Sequence, residues 1–299
     1  MKVLIIGHGS AGQRHARILS TKFNVEQIYI KTKQNLKNKK KIIFVKTINN
    51  LDPDLIVIAN ETSKHYKTCL DIEKSFRNKM IVVEKPLFHK FYDFKPKKNK
   101  YYVAYNLRYH PIIKFIKNKF YNKKVFYIEA ESSSYLPLWR KNINYQNSYS
   151  ADRSKGGGTI LDLSHEIDYL FWLFKELKLK KIITKKISNL KIQSDDFTLI
   201  LGSLKGNEIV KIKLTYFNIR ATRILNICFK DNVQIYADLL TSKLEIFTKN
   251  KKKIIKFKKF SQAQSTKDFY KDLILGKNEI ACTLNEGLKL LKKITKKND

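Results

Sequence analysis

The sequence predicts an α/β protein: an N-terminal doubly wound parallel sheet, then a C-terminal α+β domain on a mostly antiparallel, open sheet. Three observations predict it. Short apolar runs alternate with helix-like stretches early in the chain, a glycine-rich turn joins the first run to the first helix, and beyond about residue 118 strand-like runs succeed one another with only turns between. The length of 299 residues suits two domains of roughly 150 residues each, and the boundary is expected near 118, giving 1–118 and 119–299.

Residues 2–6 (KVLII) form the first strand, ended by glycine, and helical spacing runs from Ser10 to about Lys22. A second strand reads at 27–31 and a weaker one at 42–45. Asp54–Ala59 and Met80–Glu84 are near-continuous apolar strands, as in a parallel sheet covered on both faces. A helix from about Ser63 lies between them, and 101–104 is a further strand. In the second part, strands are expected at 124–132, 181–187, 197–203, 208–217, 223–229, 233–238 and 243–248. One long helix interrupts them at about 159–174, and two helices, near 265–275 and 284–296, close the chain.

Hydrophobic residues make up 43% of the chain, enough for ordinary cores. No apolar run approaches the ~20 residues of a membrane helix, so no membrane association is expected. Met1–Lys2 is followed by only Val3 to Ile6 before Gly7, which reads as a strand rather than a signal peptide. Cys69, Cys228 and Cys282 are far apart, which argues against a disulfide framework or a metal site and fits a cytoplasmic protein.

The formal net charge is +35, with 53 lysines against eight arginines. The lysines are spread along the chain, with short runs at 37–41, 251–253 and 292–297, and read as a solvated coat. The competing reading is a polyanion-binding protein, but no basic helix with interleaved aromatics and no nucleic-acid motif is present, so no specific nucleic-acid partner is expected. The charge favours anionic small molecules. In a chain that prefers lysine so strongly, Arg108 and Arg140 suggest a need for a planar fork on a carboxylate or phosphate.

Gly7-His8-Gly9-Ser10-Ala11-Gly12 is a GxGxxG that follows an apolar strand and opens a helix, as a dinucleotide-binding Rossmann fingerprint requires. The glycines permit a tight turn and a close approach of backbone N–H groups to a pyrophosphate. The second strand ends Ile30-Lys31-Thr32-Lys33, and no Asp or Glu stands between Glu26 and Asp52. The carboxylate that would hold the ribose 2′-hydroxyl of NAD is missing, so Thr32 and Lys33 favour NADP, with NAD as the alternative. Glu84-Lys85-Pro86 closes a buried strand, either aiming a lysine into the crevice where such sheets bind ligands or forming a plain surface turn.

Gly156-Gly157-Gly158 opens the helix TILDLSHEIDYLFWLF. At helical spacing Ile160, Leu163, Ile167, Leu170, Phe171 and Phe174 share one face, and Asp162, His165, Glu166 and Tyr169 share the other. A histidine one turn from a carboxylate suits proton transfer, while a solvated polar face is the plainer reading. Ahead of it, Tyr135 to Arg140 (YLPLWR), Tyr145 and Ser148-Tyr149-Ser150 suit sugar binding by stacking and hydrogen bonding, or a packed loop.

These pieces, in this order, resemble the Gfo/Idh/MocA family of sugar and cyclitol oxidoreductases. The matching stretches are LIIGHGSAGQRH, DLIVIANETSKHY, VVEKPL, YNLRYHP and GGGTILDLSHEIDYLFWL, with YLPLWR and SYSADR looking most like a branch associated with bacterial surface-glycan sugars. The resemblance implies hydride transfer between a nicotinamide and a secondary hydroxyl or ketone of a sugar, and the net charge favours an anionic one, such as a phosphorylated or nucleotide-linked amino sugar. It implies cofactor contacts from Gly7, Gly9, Ser10, Ala11, Gly12, Thr32, Lys33, Asn60, Thr62, His65, Glu84 and Lys85. Lys85 would sit near the nicotinamide and the reacting hydroxyl, His165 would be the acid/base, and Asp162 would assist. Many members space that Asp and His four apart, whereas Asp162 and His165 are three apart. Substrate contacts are expected from Arg108, Tyr135, Trp139, Arg140 and Tyr149. A homo-oligomer, dimer or tetramer, is implied through the second domain's open sheet. A non-catalytic NADP-binding sensor or scaffold is the alternative function.

Overall fold

The protein's structure, a computed structural model, describes residues 1–140 and 144–295. The chain begins with β1 (Lys2–Ile6), α1 (Ser10–Lys22), β2 (Gln27–Lys31), β3 (Ile42–Val45), β4 (Leu55–Ile58), α2 (His65–Ser75), β5 (Met80–Val83) and β6 (Lys100–Val103). It continues through α3 (Pro111–Phe120), β7 (Val125–Tyr135), α4 (Thr159–Asp162), α5 (His165–Leu173), β8 (Lys178–Lys185), β9 (Phe197–Ser203) and β10 (Ile209–Thr215). Then come β11 (Phe217–Phe229), β12 (Gln234–Asp238), β13 (Lys243–Phe247), β14 (Lys252–Lys256), α6 (Gln262–Ile274), β15 (Cys282–Thr283) and α7 (Leu284–Thr295). The end of the lysine run expected at 292–297 lies outside the described residues.

Two compact units emerge. One is Met1–Asn106 with Gln262–Leu291, and the other is Leu107–Ser261 with the chain from Lys292 onward. Sequence reading put the boundary near 118 and everything after it in the second domain. Residues 262–291 join the first unit for a packing reason: α6 lies on α1, and β15 adds an antiparallel strand to β6.

The first unit carries a seven-stranded sheet ordered β15-β6-β5-β4-β1-β2-β3, parallel except for β15. The apolar strands β1 and β4 sit centrally and are buried on both faces, as their sequence dictates. α1 joins β1 to β2 and α2 joins β4 to β5, but no α-helix occurs in the β2–β3 or β5–β6 connection. At β5–β6 an aromatic cluster replaces the helix: Tyr66 stacks on Tyr92 at 3.9 Å, with Phe88 and Phe94 edge-on around them. The β2–β3 connection is lysine-rich and supplies no such filling.

The second unit is built on an eight-stranded sheet ordered β14-β13-β12-β11-β7-β10-β9-β8, antiparallel except where β7 meets β10. Its fold is the α+β arrangement that the run of strands predicts. Ile128, Ala130, Ile200, Ile212, Leu225, Ile227 and Leu244 on one face are fully buried. The opposite face carries a cross-strand row, Ile254, Glu245, Tyr236, Asn226, Glu129, Lys211 and Leu201, in which Ile254, Tyr236 and Leu201 are exposed. β14 and α3 are elements that sequence reading did not anticipate: lysines mask the first, and the pattern change near 118 hides the second.

The expected single helix over 159–174 is two. α4 stops at Asp162 and α5 starts at His165, because Leu163 leaves helical geometry (φ −98°, ψ 23°) and the Ser164 hydroxyl donates to the Leu161 carbonyl at 2.7 Å. Nor is the polar side of α4 and α5 solvated. Asp162, His165, Glu166 and Tyr169 are all buried.

Candidate functional site

The glycine turn has the geometry its sequence predicts. Gly7 takes φ +107°, and a Cβ on Gly12 would lie 2.1 Å from the Gly7 carbonyl oxygen, so neither position tolerates a side chain. Above Gly9, the N-cap of α1, there is open space. No side chain caps α1 and no acidic residue occupies its first turn, so the first N–H groups, beginning at Ser10 and Ala11, are free to receive an anion. These residues fit a dinucleotide pyrophosphate.

At the end of β2, the Thr32 hydroxyl accepts from Gln34 N at 3.2 Å, and Lys33 is exposed with its carbonyl held by Lys46 Nζ at 3.0 Å. Asn60 Nδ2 donates to Thr68 Oγ1 at 2.9 Å, and Thr62 is buried in a short 3₁₀ turn. His65 is a buried tie. Its Nε2 faces the Asn60 carbonyl at 3.1 Å and its Nδ1 faces the Leu87 and Pro86 carbonyls at 3.1 and 3.2 Å, so it links the turns after β4 and β5. Burial pushes its pKa down, against the pull of those carbonyls.

Glu84 is the centre of a buried network. Its Oε1 accepts from Arg14 Nη2 at 2.7 Å and from His15 Nε2 at 2.8 Å, and its Oε2 accepts from the Lys85 backbone N–H at 3.1 Å. Burial works to raise its pKa, but the His15 hydrogen bond and the charges of Arg14 and Lys85 outweigh it and hold the carboxyl well below the usual range. The Lys85–Pro86 peptide is cis, and Lys85 is half-buried at the carboxyl end of β5. Thus Glu84 fixes the backbone from which Lys85 projects.

In the second unit, His165 opens α5, and its neighbours are clamped by arginines. Arg108 makes a bidentate pair with Asp168 at 2.9 and 2.7 Å, both side chains 2% exposed, and Arg223 Nε lies 2.8 Å from Glu166. The arginine fork is used as the composition suggests, but on the protein's own carboxylates. Arg108, expected on substrate, is thereby committed to α5. Asp162 accepts from Tyr149 OH and Ser150 Oγ at 2.6 Å each and from Tyr216 OH at 3.0 Å. Three hydroxyls on one carboxylate make it an anchor for the 149–151 turn.

The aromatic segment is packed. Trp139 Nε1 donates to Ser134 Oγ at 2.9 Å and its ring stands edge-on to Tyr216, while the Arg140 guanidinium lies 5.1 Å from the centroid of the Tyr149 ring. Tyr135, at the end of β7, is half-buried. Trp139, Arg140, Tyr145 and Ser148 border a void of only about 10 Å³, too small for a sugar ring. The contacts of Trp139 and Arg140 fit the packed-loop reading. Sequence reasoning missed Arg14, His15, Tyr270 and the Arg223–Glu166 pair, although the scarcity of arginine was a usable signal for Arg14 and Arg223.

No protein-family profile matches the chain, and no curated protein does. Solved structures share its fold. UDP-N-acetylglucosamine 3-dehydrogenase GnnA from Acidithiobacillus ferrooxidans is 14% identical, with 98% of this chain and 95% of that one covered at a TM-score of 0.75. Levoglucosan dehydrogenase in complex with NADH is 14% identical over 97% and 94%, at 0.79. A super-repressor mutant of Gal80p from Saccharomyces cerevisiae is 14% identical over 98% and 94%, at 0.74. The two-unit α/β fold of this chain is the fold of these proteins.

Proposed function

We propose that this protein is a nicotinamide-dinucleotide-dependent oxidoreductase of the Gfo/Idh/MocA type, with NADP favoured, acting on a secondary hydroxyl or ketone of an anionic sugar, such as a phosphorylated or nucleotide-linked amino sugar. The observation that carries the reading is the glycine turn feeding an uncapped helix at the carboxyl end of β1. The fold shared with two sugar dehydrogenases, GnnA and levoglucosan dehydrogenase, supports the substrate class.

When bound, a nicotinamide dinucleotide supplies the hydride chemistry. The chain's own residues then have separable tasks. The turn Gly7–Gly12 and the N-terminus of α1 hold the pyrophosphate. Following the family resemblance residue by residue, Lys85 donates a hydrogen bond to the reacting oxygen and stabilises developing negative charge, and His165 carries that oxygen's proton. Glu84 keeps the Lys85 backbone in place. Asp162 holds the Tyr149 and Ser150 hydroxyls and so orients the 149–151 turn.

The test is calorimetric titration with NADPH and NADH, followed by turnover of a panel of phosphorylated and nucleotide-linked amino sugars. Saturable cofactor binding with turnover of at least one sugar is the expected result. Failure to bind either cofactor would remove the reading. Tight binding with no turnover across the panel would favour the sensor, a role made concrete by the fold shared with a super-repressor mutant.

A further inference from the structure

The first unit holds a cavity of about 740 Å³ beside the glycine turn, a volume in the range of small-molecule sites. α1, β2, β3 and the helix-free β2–β3 connection surround it. Ile30, Leu36, Ile42 and Phe44 supply apolar lining, and Arg14, Arg17, Lys37 and Lys39 supply four cations, with no carboxylate among the lining residues. His8 and Ser10 also line it, which makes it continuous with the turn.

Its existence follows from the connection. A parallel sheet is normally covered on both faces. Between β5 and β6 an aromatic cluster does this in place of a helix, but between β2 and β3 the residues are mostly polar and leave the space open. Two of the eight arginines face that space from one helix, three residues apart and so on one side of it. Arg14 is held by Glu84, and its buried Nε has no hydrogen-bond partner among the described residues. Arg17 makes no ion pair among the described residues. Thr32 and Lys33 do not line the cavity, and Thr32 spends its hydroxyl on its own turn.

We propose that this cavity receives a phosphate monoester on an adenosine-sized body, which for a bound dinucleotide is the 2′-phosphate of NADP, and that Arg17, Lys37 and Lys39 are its ligands rather than Thr32 and Lys33. The inference rests on the dinucleotide reading of this unit. The apolar lining takes the flat base, and the guanidinium fork of Arg17 takes the phosphate oxygens with the two ammonium groups beside it.

Binding of nucleotide fragments tests it without any substrate. Adenosine 2′,5′-bisphosphate, 5′-AMP and NADH are titrated calorimetrically into the full chain, into Arg17→Ala and into Lys37→Ala/Lys39→Ala. A charge control, Lys253→Ala/Lys256→Ala on β14, removes two lysines elsewhere. In the wild type the bisphosphate should bind about tenfold or more tighter than 5′-AMP, the worth of a charge-assisted contact. Arg17→Ala and the double variant should each close most of that gap and leave NADH affinity unchanged, and the β14 control should leave the gap intact. Equal affinities for the two nucleotides in the wild type, or a gap that survives in both cavity variants, would overturn the proposal. So would a gap that the β14 control closes equally, since the lysine coat would then explain it. If NADH itself fails to bind the wild type, the dinucleotide reading falls; if NADH binds while the two nucleotides are indistinguishable, only this proposal does.

Discussion

Tyr270 and His15, 255 residues apart in the chain, meet through the phenolic oxygen and Nδ1 at 2.6 Å, both side chains buried. With His15 Nε2–H donating to the ionised Glu84, Nδ1 is left to accept from the Tyr270 hydroxyl, and a chain of hydrogen bonds runs from α6 to the backbone of Lys85. Tyr270→Phe keeps the ring against Phe23 and Phe269 but leaves His15 Nδ1 buried without its donor. The expected cost is ~1–3 kcal/mol in urea unfolding. A midpoint unchanged from the wild type would mean that the bond contributes nothing.

Arg108→Met should be costlier. It leaves the Asp168 carboxylate buried opposite a thioether, and breaking such a pair typically costs ~3–5 kcal/mol. Arg108→Met/Asp168→Leu, which removes both charges, should recover most of that loss. A double variant no more stable than the single one would show that the pair's geometry, and not the stranded charge, is what matters.

His110 predicts a pH dependence. It caps α3, accepting from Ile112 N at 3.1 Å and lying 3.1 Å from the Leu239 carbonyl through Nε2, an arrangement that suits the neutral ring. Burial pushes its pKa down to about 4, the Leu239 carbonyl pulling the other way and the Arg223 charge adding to the depression. The unfolded chain binds the proton near pH ~6.5. The contribution of the neutral ring is therefore fully present above that pH and is lost as pH falls from ~6.5 towards 4, by roughly 3 kcal/mol at most. His110→Asn retains an acceptor for the cap and cannot titrate, so its melting temperature should fall less than the wild type's over that window. Parallel curves would sink the assignment.

Lys85→Ala and His165→Ala should each lower turnover by ~10²–10⁴ with NADPH affinity little changed. Their effects should not add, since both are assigned to one oxygen in one transition state. Undiminished turnover in His165→Ala would remove it as proton carrier and move suspicion to Tyr149.

The open face of the second sheet predicts a homo-oligomer. Ile254, Tyr236 and Leu201 stand exposed in the same cross-strand row as the Lys211–Glu129 pair, a mixture suited to a self-complementary interface. Sedimentation at micromolar concentration should show a dimer or tetramer, and Leu201→Glu/Tyr236→Glu should shift it towards the 35.2 kDa monomer. A wild type found only as monomer would refute the expectation.

What the sequence determined by itself was whatever depends on near neighbours. The alternation of apolar strands with helices, the glycine turn, the Glu84-Lys85-Pro86 strand end and the change to an antiparallel sheet were all legible, because each is encoded in spacing or in the backbone freedom of particular residues. Pairing across long separations was not. Nothing local tells Tyr270 to lie on His15, or sends α6 back to α1, since the energy of that contact exists only after the chain has closed on itself. The polar residues of α4 and α5 mislead for the same reason. A helical wheel separates Glu166 and Tyr169 from the apolar stripe, but whether their side meets water or Arg223 is decided by β11, more than fifty residues further on. The space above β2 and β3 is likewise a tertiary fact: it exists because no helix covers the sheet there, and only the fold shows that Arg17 faces it.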